Sequence, residues 1–278
     1  MGEAMARNLL KSGKFNRVVV YNRTAGKCIP LVAEGAVAAE SPADAIQQCD
    51  VVFGMLADPE AAVKVVFQKD GVLEAITAGK AYVDMSTVDP ATCQRIAEAV
   101  TSKGGRFLEA PVGGSKQPAI DGQLLILAAG DESLFQECKT AFDIMGKRSF
   151  YLGQVGAGAR MKLIINMIMG SMMGAFSEGM ALADKAGLKQ EELLEVLSLG
   201  VTGNGLISIK GPSILKHSYP PAFPLKHQQK DMRLALALGD EVSQPLPVAA
   251  AANEAYKAAK AMGHADDDMA AIYEAIKK

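Results

Sequence analysis

Cysteine and histidine are scarce in this sequence, and neither is clustered. Its four cysteines, Cys28, Cys49, Cys93 and Cys138, contain no C-x-x-C pair. That excludes the usual zinc spacing and argues against a disulfide framework in so long a chain. They read instead as small buried hydrophobes in a reducing compartment. The three histidines, His217, His227 and His264, are scattered, so no metal site is expected. Net charge is nearly absent too, at −2. No bulk field therefore draws the chain to nucleic acid or to an anionic membrane, and neither is expected as a partner. Bilayer-length apolar runs are also missing. MKLIINMIMGSMMGAF, residues 161–176, is interrupted by Lys162 and Asn166, and a span needs about 20 apolar residues, so it reads as a buried core helix. No signal or transit peptide is visible. The expected compartment is the cytoplasm, or the plastid or mitochondrion if a transit peptide precedes the residues given.

What is present is the balance of a globular protein. The 278 residues are 49% hydrophobic and 22% charged, enough for one large or two modest domains. Up to about residue 150, two textures alternate. Short β-branched runs stand at 17–22, 51–56, 80–86, 106–111 and 124–130, with helical stretches between them. Ser41, Asp58 and Asp89 each precede a helical run, with proline next or close by. Alternation of this kind predicts a mostly parallel, doubly wound sheet. Beyond YLGQVGAG (151–158) strand signals nearly vanish. One long helix is predicted over 159–187, with others at 189–199, about 224–239, 244–262 and 266–277. HSYPPAFP (217–224) is a proline-rich break. The fold class is thus an α/β Rossmann-type domain, 1–153, joined by a long helix to an all-α domain, 154–278.

The chain starts MGEAMARNLL. Gly2 fits the third glycine of a dinucleotide-binding turn, where pyrophosphate meets a helix N-terminus. The second strand runs into Tyr21-Asn22-Arg23-Thr24. An acid at that point selects NAD; here an arginine stands instead, and a guanidinium can pair with a 2′-phosphate, which favours NADP(H). A solvated turn arginine is the other reading. In DMSTVDP (84–90), Ser86 and Thr87 fall at the carboxyl end of the sheet, where ligands bind, although helix capping near Asp89 explains the same residues. Met55 and Leu56 end a strand and either flank a ring or belong to the core.

In GQVGAGARMKLIINMIMGSMMG (153–174), Lys162, Asn166, Gly170 and Gly174 are spaced by four and share one helix face. A buried ammonium is costly unless paired or working. The alternative is a lysine at a helix start that reaches solvent beside a structural asparagine. Gly113-Gly114-Ser115 follows a strand and reads either as a backbone nest for a carboxylate or as a tight turn. Lys230 and Asp231 lie on a helix and form either a site pair or a solvated face. A Met-rich face at 167–173 is a candidate interface for a homo-oligomer.

Together YNRT, MLADPEA, YVDMSTVDP, FLEAPVGGS, DGQLLILAAGD, the GAGARMKLIIN block and FPLKHQQKDMRLALALGD resemble the β-hydroxyacid dehydrogenase family, which includes 3-hydroxyisobutyrate dehydrogenase. Within it they resemble the plant-type glyoxylate and succinic semialdehyde reductases. The resemblance runs from Met1 to about residue 276. It implies NADPH-dependent reduction of a small aldehyde acid, with Lys162 as general acid and Asn166 as its helper. It implies substrate contacts at Gly113, Gly114, Ser115, Phe223 and Asp231. Cofactor contacts are implied at Gly2, Asn22, Arg23, Thr24, Met55, Leu56, Thr87 and Lys230. A lysine in water titrates at about 10.4, so its acid form is ready at neutral pH. A 3-hydroxyisobutyrate-type dehydrogenase preferring NAD, and a non-catalytic relative, are the alternatives.

Two departures stand out. The family commonly has serine where Gly113 stands, so a hydroxyl contact to the carboxylate is lost. Family members also have an apolar first strand and two more glycines before the residue matching Met1. The expectation is a truncated or mis-started copy whose first domain is poorly stable and binds NADPH weakly. Five buried apolar side chains at roughly 1.5–3 kcal/mol each amount to some 10 kcal/mol.

Overall fold

The computed structural model describes residues 1–277 and divides into two compact units, Met1–Lys162 and Leu163 to the C-terminus. The division falls inside a helix rather than at residue 153. In the first unit the helices are α1 (Gly2–Lys11), α2 (Ile29–Ala33), α3 (Pro42–Gln48), α4 (Pro59–Phe67), α5 (Val72–Ala75), α6 (Pro90–Ser102), α7 (Lys116–Ile120), α8 (Glu132–Glu137) and α9 (Lys139–Met145). The strands are β1 (Val19–Val20), β2 (Val37–Ala38), β3 (Val51–Gly54), β4 (Ala81–Asp84), β5 (Arg106–Glu109), β6 (Val112–Gly113), β7 (Leu124–Gly130) and β8 (Gly146–Tyr151).

Among the described residues β1 and β2 form a parallel pair by themselves. The other six strands make one sheet in the order β3-β4-β5-β7-β6, with β8 also paired to β7. Strands β3, β4 and β5 run parallel, with Val52 opposite Tyr82 and Tyr82 opposite Phe107. Strand β7 is antiparallel to both β5 and β6 and parallel to β8. The sheet is therefore mixed at one side, which short strands such as β6 do not advertise in sequence.

Alternation along the strands sends side chains to two cores. Tyr82 and Phe107 pack with Ile46, Ile96 and Val100 on one face. Val83, Leu108 and Ile126 pack with Leu134 and Phe142 on the other. Helix starts follow the sequence signals. The side chains of Ser41, Asp58 and Asp89 accept the N–H of Asp44, Ala61 and Thr92, each with proline at the start of the helix. These caps open α3, α4 and α6 right after their connecting turns.

Helix α10 (Ala157–Lys185) is continuous and carries the chain from the first unit into the second. It is the one helix among the described residues that is long and apolar enough, by length and composition, to cross a membrane. The second unit continues with α11 (Gln190–Leu199), α12 (Gly205–Leu215), α13 (Leu225–Glu241), α14 (Pro247–Ala261) and α15 (Ile272–Ile276). Helix α12 was not expected, since Pro212 sits inside it. The single helix expected over 266–277 resolves into short 3-10 turns followed by α15. The core of this unit gathers Met173, Met180, Ile214, Met232, Tyr256 and Tyr273. Met173 of the proposed interface stripe is thus buried, and Met167 and Met169 pack half-buried against the same core. The exposed large apolar residues of α10 are Met161, Ile164, Ile165, Ile168, Met172 and Leu182, of which Ile168 and Met172 fall within 167–173.

Candidate active site

The candidate side chains fall into two groups, one in each unit. In the first, the approach to α10 is a glycine-rich turn. Gly153 and Gly156 have φ of 90° and 98°, a backbone that side-chain-bearing residues rarely adopt. A Cβ on Gly158 would lie 2.4 Å from the Leu127 carbonyl oxygen, so the helix start rests directly on the backbone of β7. Glu109, the last residue of β5, is 1% exposed. Its Oε1 accepts the N–H of Gly156 at 2.7 Å and of Gly158 at 2.8 Å. Burial pushes its pKa up, against the pull of the Cys93 thiol and the backbone N–H groups. One turn further on, Lys162 is 6% exposed. Such burial excludes the reading of a lysine reaching into solvent.

The carboxylate-binding candidates lie between β6 and α7. Gly113 belongs to β6 and pairs with Leu125 of β7. Gly114 has φ of 127°, and Ser115 is extended at φ −114°, ψ −159°. Gly113 is thus strand backbone, and the loop N–H groups beyond β6 begin at Gly114. Gly114 and Ser115 supply the remaining N–H groups, and the Ser115 hydroxyl makes no capping bond to α7.

At the cofactor candidates, α1 begins at Gly2 with no side-chain cap. Its first-turn N–H groups therefore point out of the helix without a side-chain acceptor. A Cβ at Gly2 would meet the Met55 Cβ at 3.4 Å. Met55 and Leu56 follow β3, and the Leu56 N–H donates to Ser86 Oγ at 2.9 Å. The Ser86 N–H in turn donates to Asp84 Oδ1 at 2.9 Å. This pins the loops at the carboxyl ends of β3 and β4, where Thr87 stands half-buried. After β1, Asn22 Oδ1 accepts the Thr24 N–H at 2.9 Å, an Asx turn that holds Arg23 exposed at its tip. An exposed guanidinium without a carboxylate in the turn, and an uncapped helix start, suit a phosphorylated dinucleotide.

In the second unit α10 and α13 bring Asn166 and Asp231 together. Asn166 Nδ2 donates to Asp231 Oδ2 at 2.5 Å, and Gln228 Nε2 donates to the Asn166 carbonyl at 2.9 Å. Lys230 Nζ lies 3.0 Å from Asp231 Oδ1. Asp231 is 1% exposed, so this pair is no solvated face. Phe223 is placed by a residue that sequence reasoning passed over. Asp268 Oδ2 accepts the N–H groups of Ala222 and Phe223 at 3.0 and 3.1 Å, and its Oδ1 accepts from Lys210 Nζ at 2.7 Å. Asp268 ends the run DDD and looks like surface charge in sequence, and Lys210 sits in the unexpected α12. Glu109 was also missed, since nothing in FLEAP indicates that its partners lie near residue 157.

A Rossmann-type unit followed by a helical unit, with a buried lysine on the linking helix, defines an NAD(P)-dependent oxidoreductase. The chain belongs to the β-hydroxyacid dehydrogenase family, alongside the 3-hydroxyisobutyrate dehydrogenases. The family model for the NAD binding domain of 6-phosphogluconate dehydrogenase matches residues 1–153. That for the NAD-binding region of NADP-dependent 3-hydroxyisobutyrate dehydrogenase matches residues 156–276. Glyoxylate/succinic semialdehyde reductase 1 of Arabidopsis thaliana is 62% identical over 277 residues, covering 100% of this chain and 95% of that protein. The chloroplastic reductase 2 of the same plant is 54% identical over 100% of this chain and 77% of its own length. The crystal structure of 3-hydroxyisobutyrate dehydrogenase from Salmonella typhimurium superposes with a TM-score of 0.89 at 26% identity, covering 98% of this chain and 95% of that one.

Proposed function

We propose that this chain reduces small aldehyde acids, glyoxylate to glycolate and succinic semialdehyde to 4-hydroxybutyrate, using NADPH. The observation that carries the reading is the buried Lys162, one turn into a helix that starts at the carboxyl end of β5. The 62% identity to a reductase with those substrates in its name supports it. When bound, NADPH supplies the hydride that reaches the carbonyl carbon. The uncapped start of α1 at Gly2 takes the pyrophosphate, and Arg23, in the turn Asn22–Thr24, takes the 2′-phosphate. Met55, Leu56, Thr87 and Lys230 are the remaining cofactor contacts. The Gly114 and Ser115 N–H groups hold the substrate carboxylate, with Phe223 and Asp231 as further substrate contacts.

Negative charge grows on the carbonyl oxygen as the hydride arrives. Lys162 Nζ holds that oxygen as an ammonium and passes it a proton, giving the alcohol and a neutral amine that solvent reprotonates. Asn166, fixed by Asp231, lies one helical turn along the same helix and orients the lysine or the substrate by hydrogen bonding. The exposed apolar residues of α10 support a homo-oligomer, which light scattering would read directly.

The test is loss of NADPH absorbance with glyoxylate and with succinic semialdehyde. Lys162→Ala should bind NADPH yet lose about 10²–10⁴-fold in turnover. Absence of NADPH oxidation, or a Lys162→Ala variant near the original rate, overturns the reading. NAD-dependent oxidation of 3-hydroxyisobutyrate instead would favour the other branch of the family.

A further inference from the structure

We propose that Glu109 is a positioning residue for the proton donor: by holding the N–H groups of both Gly156 and Gly158, it sets where α10 begins and so where Lys162 stands. This rests on the reading of Lys162 as the acid. Helices α3, α4, α6 and α8 take their caps from the residue immediately before them. Helix α10 takes its cap from a strand 47 residues away in sequence. A local cap fixes a helix start to its own loop, whereas Glu109 fixes it to the sheet.

Three further features leave the start no room to slide. The Gly158 position admits no Cβ, because the Leu127 carbonyl would lie 2.4 Å away. Gly156, at φ 98°, sets the turn that enters the helix. Ala159, 1% exposed, packs into the core with Ile96 and Phe107. Lys162 stands four residues after Gly158, about 6 Å along the axis at 1.5 Å per residue. Over so short a length of helix, a shift of the start reaches the ammonium undiminished. Only Oε1 is bonded to the backbone; the other oxygen, Oε2, is buried without a hydrogen-bond partner. The buried carboxylate is therefore kept for what it holds and not as half of an ion pair.

The positioning role makes a prediction that simple stabilisation does not. Glu109→Gln keeps an oxygen for both N–H groups and should keep kcat within about three-fold, whereas Glu109→Ala should lower kcat about 10- to 100-fold, as expected for a misplacement of an ångström or so. Turnover is to be expressed per NADPH-binding site, from titration of each variant, so that loss of folded protein is divided out. The KM for NADPH should stay within about two-fold, because the change falls on the reacting geometry and not on cofactor affinity. Glu109→Asp, one methylene short of the two N–H groups, is the milder variant and should fall between the other two. If Glu109→Ala or Glu109→Asp retains full kcat per NADPH-binding site while Lys162→Ala is inactive, the positioning role is wrong. Loss of kcat that merely tracks loss of NADPH-binding sites also overturns it, since that is stabilisation alone. If Lys162→Ala itself keeps its rate, the acid assignment fails and the positioning role that rests on it falls with it, whereas an inactive Lys162→Ala beside a fully active Glu109→Ala overturns the positioning role alone.

Discussion

Gly113 is the residue at which this chain departs from the resemblance that otherwise frames its site, and the structure says what a serine there would meet. A Cβ at Gly113 would lie 3.3 Å from the Leu125 Cβ, which must give by a few tenths of an ångström. Leu125 is only half-buried, so it can. Against that, a hydroxyl bonded to a carboxylate is worth about 1.5–3 kcal/mol. Gly113→Ser should therefore lower the KM for succinic semialdehyde about ten-fold, with kcat little changed. A raised KM would mean that the strand pairing with β7 matters more than the extra contact. Arg23 permits a second comparison at the same scale. Arg23→Ala should raise the KM for NADPH by about ten-fold or more and leave that for NADH unmoved, since only the former carries the 2′-phosphate. Equal effects on both cofactors would return Arg23 to the status of a solvated turn residue. Lys162 and Asn166 stood out because a spacing of four puts them on one face of an apolar helix, whereas Asp231, 65 residues beyond Asn166, was placed in the site only by the resemblance. Glu109 and Asp268 did not stand out, because a lone carboxylate says nothing about which backbone N–H groups will meet it.

At the scale of elements, the loop 217–224 is held by the C-terminal segment. Asp268 accepts from Lys210, from the N–H groups of Ala222 and Phe223, and from Ala270 N–H at 3.1 Å. The Met269 N–H also donates to the Phe223 carbonyl at 2.9 Å. Removing one member of a buried pair leaves the other charge uncompensated, at a cost of about 3–5 kcal/mol. Asp268→Ala should thus lower the thermal midpoint of the second unit, and through Phe223 raise the KM for the aldehyde. An unchanged melting profile would show that water replaces the carboxylate. Strand β7 could be read from sequence because LLILAAG is an unbroken apolar run buried on both faces. Strand β8 could not, since GKRSFY mixes glycine with charge and leaves Lys147 and Arg148 exposed. The two residues of β6 are too few to show a period, and the interior Pro212 hid α12.

At the scale of the whole molecule, two compact units need not unfold in a single step, and acid should separate their contributions. Glu274, on α15, accepts from Tyr219 Oη at 2.6 Å and lies 2.9 Å from His217 Nδ1 and 2.6 Å from Lys277 Nζ. Burial opposes its ionisation, but these three partners outweigh it and bring its pKa down from 4.5 to about 2. A carboxylate depressed in the folded state contributes stability that is fully present above its unfolded value and is lost as pH falls through its folded value. The second unit should therefore lose stability between pH 4.5 and about 2. Glu109 works in the opposite sense in the first unit. Its pKa is raised by burial, so protonation relieves a strain that ionisation imposes. Thermal melts across that range should show the second unit's transition falling as pH drops. In Glu274→Gln the transition should start lower at neutral pH and fall less steeply, the two proteins converging near the acid end. Parallel curves for the two proteins would show that the cluster around Glu274 does not hold α15 in place.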